Sequence, residues 1–191
     1  MAAEIMSDES TMIWRRLDMP GHESVRVFFA EDSWYLEGTS VFLYGDKPCR
    51  LDYLIECDEN WLTTAADITG WTGDELIDLE IDIDEDRRWF INGKESPEVK
   101  GCIDIDFHFS PITNTLPIKR LNIPAEKEAA VRAAWLRFPE FKFEPLEQTY
   151  TRLSENTYKY ESGGGSFVRD IEVNEAGLVT NYPGYFEIEK S

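Results

Sequence analysis

The chain has 191 residues, with 19 lysines and arginines against 38 aspartates and glutamates, for a formal net charge of −19. A chain of this length buries roughly 70% of the surface it exposes when unfolded, enough for one core without cross-links, while its negative field repels phosphate backbones and anionic leaflets, which argues against nucleic acid or stable membrane insertion. No apolar run is long enough to span a bilayer, the opening residues lack a charged-then-apolar leader, and Cys49, Cys57 and Cys102 lack C-x-x-C spacing, so neither a disulfide framework nor a zinc ribbon is suggested.

These features predict a soluble, cytoplasmic protein with reduced thiols and no cofactor. Residues 1–10 are polar and expected to be mobile, and 11–191 read as one domain without a dividing linker. Strands are predicted over 12–17 and 24–30, separated by a turn containing Pro20-Gly21, and over 34–44, where Gly38 marks a bulge or a close approach of another backbone or a ligand. Gly45 to Pro48 turns the chain into strands at 50–57 and 61–68. Over 76–84, Ile77, Leu79, Ile81 and Ile83 alternate with Asp78, Glu80, Asp82 and Asp84, giving one core face and one solvated face. A calcium loop starting at Asp82 would need glycine where Arg87 stands and glutamate where Gly93 stands, so that template fails. A short strand over 87–91 ends in the Asn92-Gly93 hairpin turn.

The segment 101–124 is the most informative. Ile103, Ile105, Phe107 and Phe109 alternate with Asp104, Asp106 and His108, the pattern of a strand. Ser110-Pro111 stops it, Thr113, Asn114 and Thr115 form a corner, and an extended run is expected over 118–123. One helix is predicted, over 124–138: Pro124 suits a first turn, Glu126 and Glu128 suit the positive end, and Val131, Trp135 and Phe138 fall three and four residues apart. Strands follow over 141–153, 157–161, 166–173 and 178–188, with Gly163 to Gly165 as a hairpin tip. The chain is therefore mainly β.

Asp-Ile-Asp at 104–106 followed by Ser-Pro-Ile-Thr-Asn-Thr-Leu-Pro-Ile-Lys-Arg-Leu at 110–121 resembles the central signature of the bacterial putative glycolipid-binding family. Further landmarks are similar to that family: Trp14-Arg15-Arg16, Gly38 to Val41, Tyr53 to Asp58 with Trp61, Trp89 with Asn92-Gly93, Gln148-Thr149-Tyr150, and Gly177 to Gly184. The resemblance covers nearly the whole chain. It implies a curved, spiral antiparallel β-roll around one α-helix, here assigned to about 124–138, and a role in binding glycolipid.

Asp104, Asp106, His108, Thr113, Asn114 and Arg120, with Trp14 and Trp89, form the candidate ligand-binding set for a glycolipid or similar amphiphile. Carboxylates and amides receive sugar hydroxyls, and flat rings receive sugar faces and tails. Adjacent members of the Asp104, Asp106, His108 series stand about 6.6 to 7 Å apart along a strand, which puts a third metal ligand out of reach, so no metal is expected. Aromatics make up 13% of the chain, and most of the tryptophans suit core packing equally well. Nucleophile signatures such as G-x-S-x-G are missing. The expectation is a non-enzymatic amphiphile-binding protein. Its rivals are a hydrolase using Asp104 and Asp106 as acid and base, and a packed scaffold in which the corner residues satisfy one another.

Overall fold

A computed structural model describes residues 9–190, so most of the segment expected to be mobile lies outside the described residues, and Ser10 already belongs to the first strand. The strands are β1 (Ser10–Arg16), β2 (Gly21–Ala30), β3 (Ser33–Tyr44), β4 (Lys47–Asp58), β5 (Thr63–Thr72), β6 (Glu75–Ile83), β7 (Trp89–Ile91), β8 (Lys94–Glu95), β9 (Ile105–Phe107), β10 (Glu128–Arg137), β11 (Lys142–Arg152), β12 (Thr157–Ser162), β13 (Phe167–Val173), β14 (Val179–Tyr182) and β15 (Phe186–Ile188). They form one 15-stranded sheet in the order β8-β7-β6-β5-β4-β3-β2-β1-β15-β14-β13-β12-β11-β10-β9. The fold is thus two meanders that share a seam. β1 pairs with β15 through Trp14↔Ile188 and Arg16↔Phe186, and each meander runs outward from that junction. All pairings are antiparallel except β9 with β10, whose register is Ala134↔Ile105 and Leu136↔Phe107.

The sheet is open but curled, and side chains tie its far ends together. Ile105 N–H donates to Thr63 Oγ1 at 3.2 Å, and Arg87 donates to the carbonyls of Thr63, Cys102 and Ile103 at 2.7, 3.2 and 2.6 Å. Trp89, fully buried, donates its indole N–H to Cys102 at 3.1 Å and meets the Phe143 ring edge-on. Trp14 is also fully buried and donates to Val179 O at 2.6 Å, closing the seam between the meanders. Leu36, Leu51, Ile55, Ile68 and Ile105 fill the interior.

The helix lies elsewhere than the periodicity predicts. Residues 128–137 are strand β10, paired on one side with β11 and on the other with β9. The helical spacing of Val131, Trp135 and Phe138 loses to a ladder that bonds the backbone on both sides. Local preference is a weak prior beside such pairing. Pro124 instead opens a turn, its carbonyl accepting from Lys127 N–H at 3.1 Å, with Glu126 at φ 60°.

The one α-helix among the described residues, α1, spans Thr115–Leu121, where an extended run was expected, and follows a 3-10 turn over Pro111–Asn114. Pro117 fits within its first turn, Lys119 and Arg120 lie near its negative end, and Asn122 stops it in a left-handed conformation at φ 40°. Every residue from Pro111 to Ile118 is buried, so the corner and the start of α1 fill the inside of the curl. The fold is a mainly β, curved roll around a helix, with the helix at this corner.

Two other differences are shorter. Only Ile105–Phe107 of the run 103–109 is ladder-paired, and Phe107 N–H, on the side away from β10, donates to Thr113 Oγ1 at 3.2 Å. The run 178–188 is two strands, because Gly184 turns the chain at φ 82°.

Candidate functional site

The segment from β9 through the 3-10 turn to α1 forms one wall of a cleft of about 400 Å³. Asp106, His108, Ser110, Thr113 and Asn114 come from this wall. Trp135 of β10 and Tyr160 of β12 continue it, and Phe167, Tyr182, Tyr185 and Phe186 close the opposite side. The rings pack on one another, with centroids 5.9 Å apart for Tyr160 and Phe167, 6.3 Å for Tyr160 and Tyr182, and 5.4 Å for Tyr182 and Tyr185. Ser162, Gly163 and Ser166 also line the cleft. The glycine tip between β12 and β13 is therefore part of the site, and Gly163, Gly164 and Gly165 all have positive φ, a run that suits glycine alone.

Asp106 is the one carboxylate in the lining, and among the described residues no lysine or arginine lines the cleft. Its Oδ2 accepts from Gln148 Nε2 at 2.6 Å. Desolvation pushes the Asp106 carboxyl up to about 6, opposed by the Gln148 bond and assisted by the charge of Asp104. Burial, with the Asp106 charge as a further cause, also raises the Tyr160 and Tyr182 phenols, which stay neutral. Asn114, 5% exposed, donates Nδ2–H to the Tyr150 hydroxyl at 2.8 Å. His108 is exposed, with Nδ1 3.0 Å from the Phe138 carbonyl and its ring edge-on to Trp135.

Four sequence-selected residues lie outside the cleft. Asp104, 1% exposed, is clamped by Arg120 through Nε at 3.0 Å and Nη2 at 2.5 Å, so this pair pins β9 to α1. Burial pushes its carboxyl up while the Arg120 bonds and nearby Arg87 pull it back. Trp14 and Trp89 are the closures described above. Asp104 and Asp106 thus do not share an accessible cleft. Among the described residues, no group of three His, Cys, Asp or Glu side chains is placed to hold a metal ion, and no helix is long and apolar enough to cross a membrane.

Behind the cleft wall is a polar cluster that strand patterning does not reveal. Glu23 of β2, 1% exposed, accepts at Oε1 from the Ser110 hydroxyl and from Tyr53 Oη, the latter at 2.5 Å. Ser110 also accepts from Ile112 N–H at 3.2 Å and lines the cleft. Tyr53 reaches Glu23 by crossing Gly38, where a Cβ would stand 2.5 Å from Tyr53 Cζ. The group that approaches that glycine is a side chain, where another backbone or a ligand was expected. Glu23 Oε2 and Ser40 Oγ have no partner among the described residues. Burial raises Glu23 to about 7 against the pull of Ser110, Tyr53 and Arg16, so the fold favours the neutral acid at this position.

Another cavity, of about 420 Å³ beside α1, contains Lys119 and Arg152, but Arg152 spends its donors on the carbonyls of Ser154, Ile123 and Glu155. The aromatic cleft joins an apolar surface to convergent acceptors and donors, the make-up of a small-molecule site.

A curled β-roll with an aromatic cleft at its buried corner defines the class of protein. The family described as "Putative glycolipid-binding" matches residues 11–187, and the chain belongs to it. The structure is similar to the crystal structure of a DUF1089 family protein from Pseudomonas aeruginosa, with a TM-score of 0.74, 30% sequence identity, and coverage of 86% of this chain and 91% of that one. No curated protein matches the chain.

Proposed function

We propose that the protein binds a glycolipid or related amphiphile in the aromatic cleft, without transforming it. The observation that carries this reading is a cleft of about 400 Å³ in which one carboxylate and neutral donors face tyrosine, phenylalanine and tryptophan rings. Sugar hydroxyls are matched by Asp106, Thr113 and Asn114, and a sugar face or the start of an acyl chain is matched by Tyr160, Phe167, Tyr182 and Tyr185. Membership of the family supports the ligand class. The hydrolase reading needs two carboxylates in one cleft, whereas Asp104 is engaged by Arg120 outside it.

Native mass spectrometry of the purified protein tests the proposal directly, with a co-purifying amphiphile as the expected result. Asn114→Ala removes the bond to Tyr150, and is expected to cost about 1 to 3 kcal/mol of stability and to reduce ligand retention. Tyr182→Ala is expected to reduce retention with a smaller stability loss. Full retention by both variants would rule the cleft out as the binding site.

A further inference from the structure

From the charge and ring geometry of this cleft we infer that its ligand carries a protonated nitrogen in the head group, as an amino sugar or other ammonium-bearing amphiphile does, and that anionic head groups are rejected. The inference rests on the binding role proposed above and specifies the chemistry it selects.

Three observations support it. First, Asp106 has no cationic partner: among the described residues its one hydrogen bond comes from the neutral Gln148 amide. The other carboxylate whose charge reaches it, Asp104, has the same sign and is held by Arg120. A partly desolvated carboxylate without a counter-ion is a site that a cation completes. Second, the rings of Tyr160, Phe167, Tyr182 and Tyr185 surround the same space with tilted and edge-on packing. Tilted rings present negative faces in several directions, the arrangement that holds ammonium groups in aromatic cages. The Arg169 guanidinium lies 4.8 Å from the Phe167 centroid and 5.6 Å from that of Tyr185, so those two rings already hold a cation and the Tyr160 and Tyr182 rings are the ones left for a ligand's ammonium. Arg169 does not line the cleft, and its donors go to the carbonyls of Pro183 and Val168. Third, the net charge of −19 adds a field that draws cations and repels anions.

The test uses the full chain at pH 8, where Asp106 is ionised, and at physiological ionic strength to screen the outer surface. Three probes sharing one octyl tail are titrated: octyl glucoside, octylammonium and octyl sulfate. Binding is followed by the NMR signal of the Gln148 side-chain amide, and each probe is competed against the glucoside so that only occupancy of the cleft counts. Octylammonium is expected to bind about tenfold more tightly than octyl sulfate, with octyl glucoside between them. Asp106→Asn keeps the shape and the Gln148 contact. In that variant, the preference for ammonium over glucoside is expected to disappear.

Octyl sulfate binding in the cleft as tightly as octylammonium would overturn the inference and leave the amphiphile-binding role standing. So would an undiminished ammonium preference in Asp106→Asn. If none of the three probes shifts the Gln148 amide, both readings fall. The comparison in the unsubstituted protein decides the question even if Asp106→Asn does not fold.

Discussion

Replacing Glu23 with glutamine should make the protein more stable at alkaline pH while leaving it nearly unchanged in acid. The folded carboxyl titrates at about 7, against an ordinary value of 4.5, because burial disfavours its charge. The sign follows from proton linkage. Below pH 4.5 the acid is protonated in both states. Between about 4.5 and 7 the unfolded chain releases a proton that the folded chain retains, so rising pH favours unfolding, and above 7 the penalty is complete. At about 1.36 kcal/mol per pH unit this amounts to roughly 3 kcal/mol. A glutamine at 23 accepts from Tyr53 and Ser110 through its oxygen and, like the neutral acid, carries no charge.

Urea denaturation of both proteins at pH 4.5 and pH 8, with unchanged slopes as the control for two-state behaviour, provides the measurement. The other titrating groups, Asp106 among them, are common to both proteins and cancel in the difference. The expected gap is near zero in acid and roughly 3 kcal/mol in favour of Glu23→Gln at pH 8. A gap that does not widen with pH would refute the claim that Glu23 is held as a neutral acid behind the cleft.

Other substitutions probe the closures around the site. Arg120→Ala leaves Asp104 buried and unpaired and is expected to cost about 3 to 5 kcal/mol in urea titration, whereas the double substitution Asp104→Ala with Arg120→Ala should cost less than the sum of the single ones. Gly38→Ala places a methyl 2.5 Å from Tyr53 Cζ and 3.0 Å from Ser24 O. It should destabilise by about 1 to 3 kcal/mol and, by moving Tyr53 away from Glu23, alter the pH dependence described above.

Much of the chain is readable from alternation alone. Ile77 and Ile81 are buried while Asp78, Glu80 and Asp82 face solvent, as their period-two spacing requires. Asn92 and Gly93 adopt the positive φ values, 49° and 73°, that a tight hairpin turn needs. Part of the site is equally legible, because Asp106, His108, Thr113 and Asn114 lie within one short segment whose turn chemistry is local. Gln148 and Tyr150 left a weaker signal as neighbours on the inward face of β11.

The helix and the rest of the site are decided at longer range. Residues 128–137 carry an alanine-rich, helix-compatible pattern, yet partners on both sides hold them as a strand, and no local rule contains that information. Tyr160, Tyr182 and Tyr185 meet Asp106, and Glu23 meets Tyr53 and Ser110, only because the sheet curls around the corner. Sequence determined which residues alternate, turn and stop, since those depend on neighbours along the chain. Tertiary structure alone decided which carboxylate found an arginine and which was left facing the rings, because burial and charge pairing depend on neighbours in space.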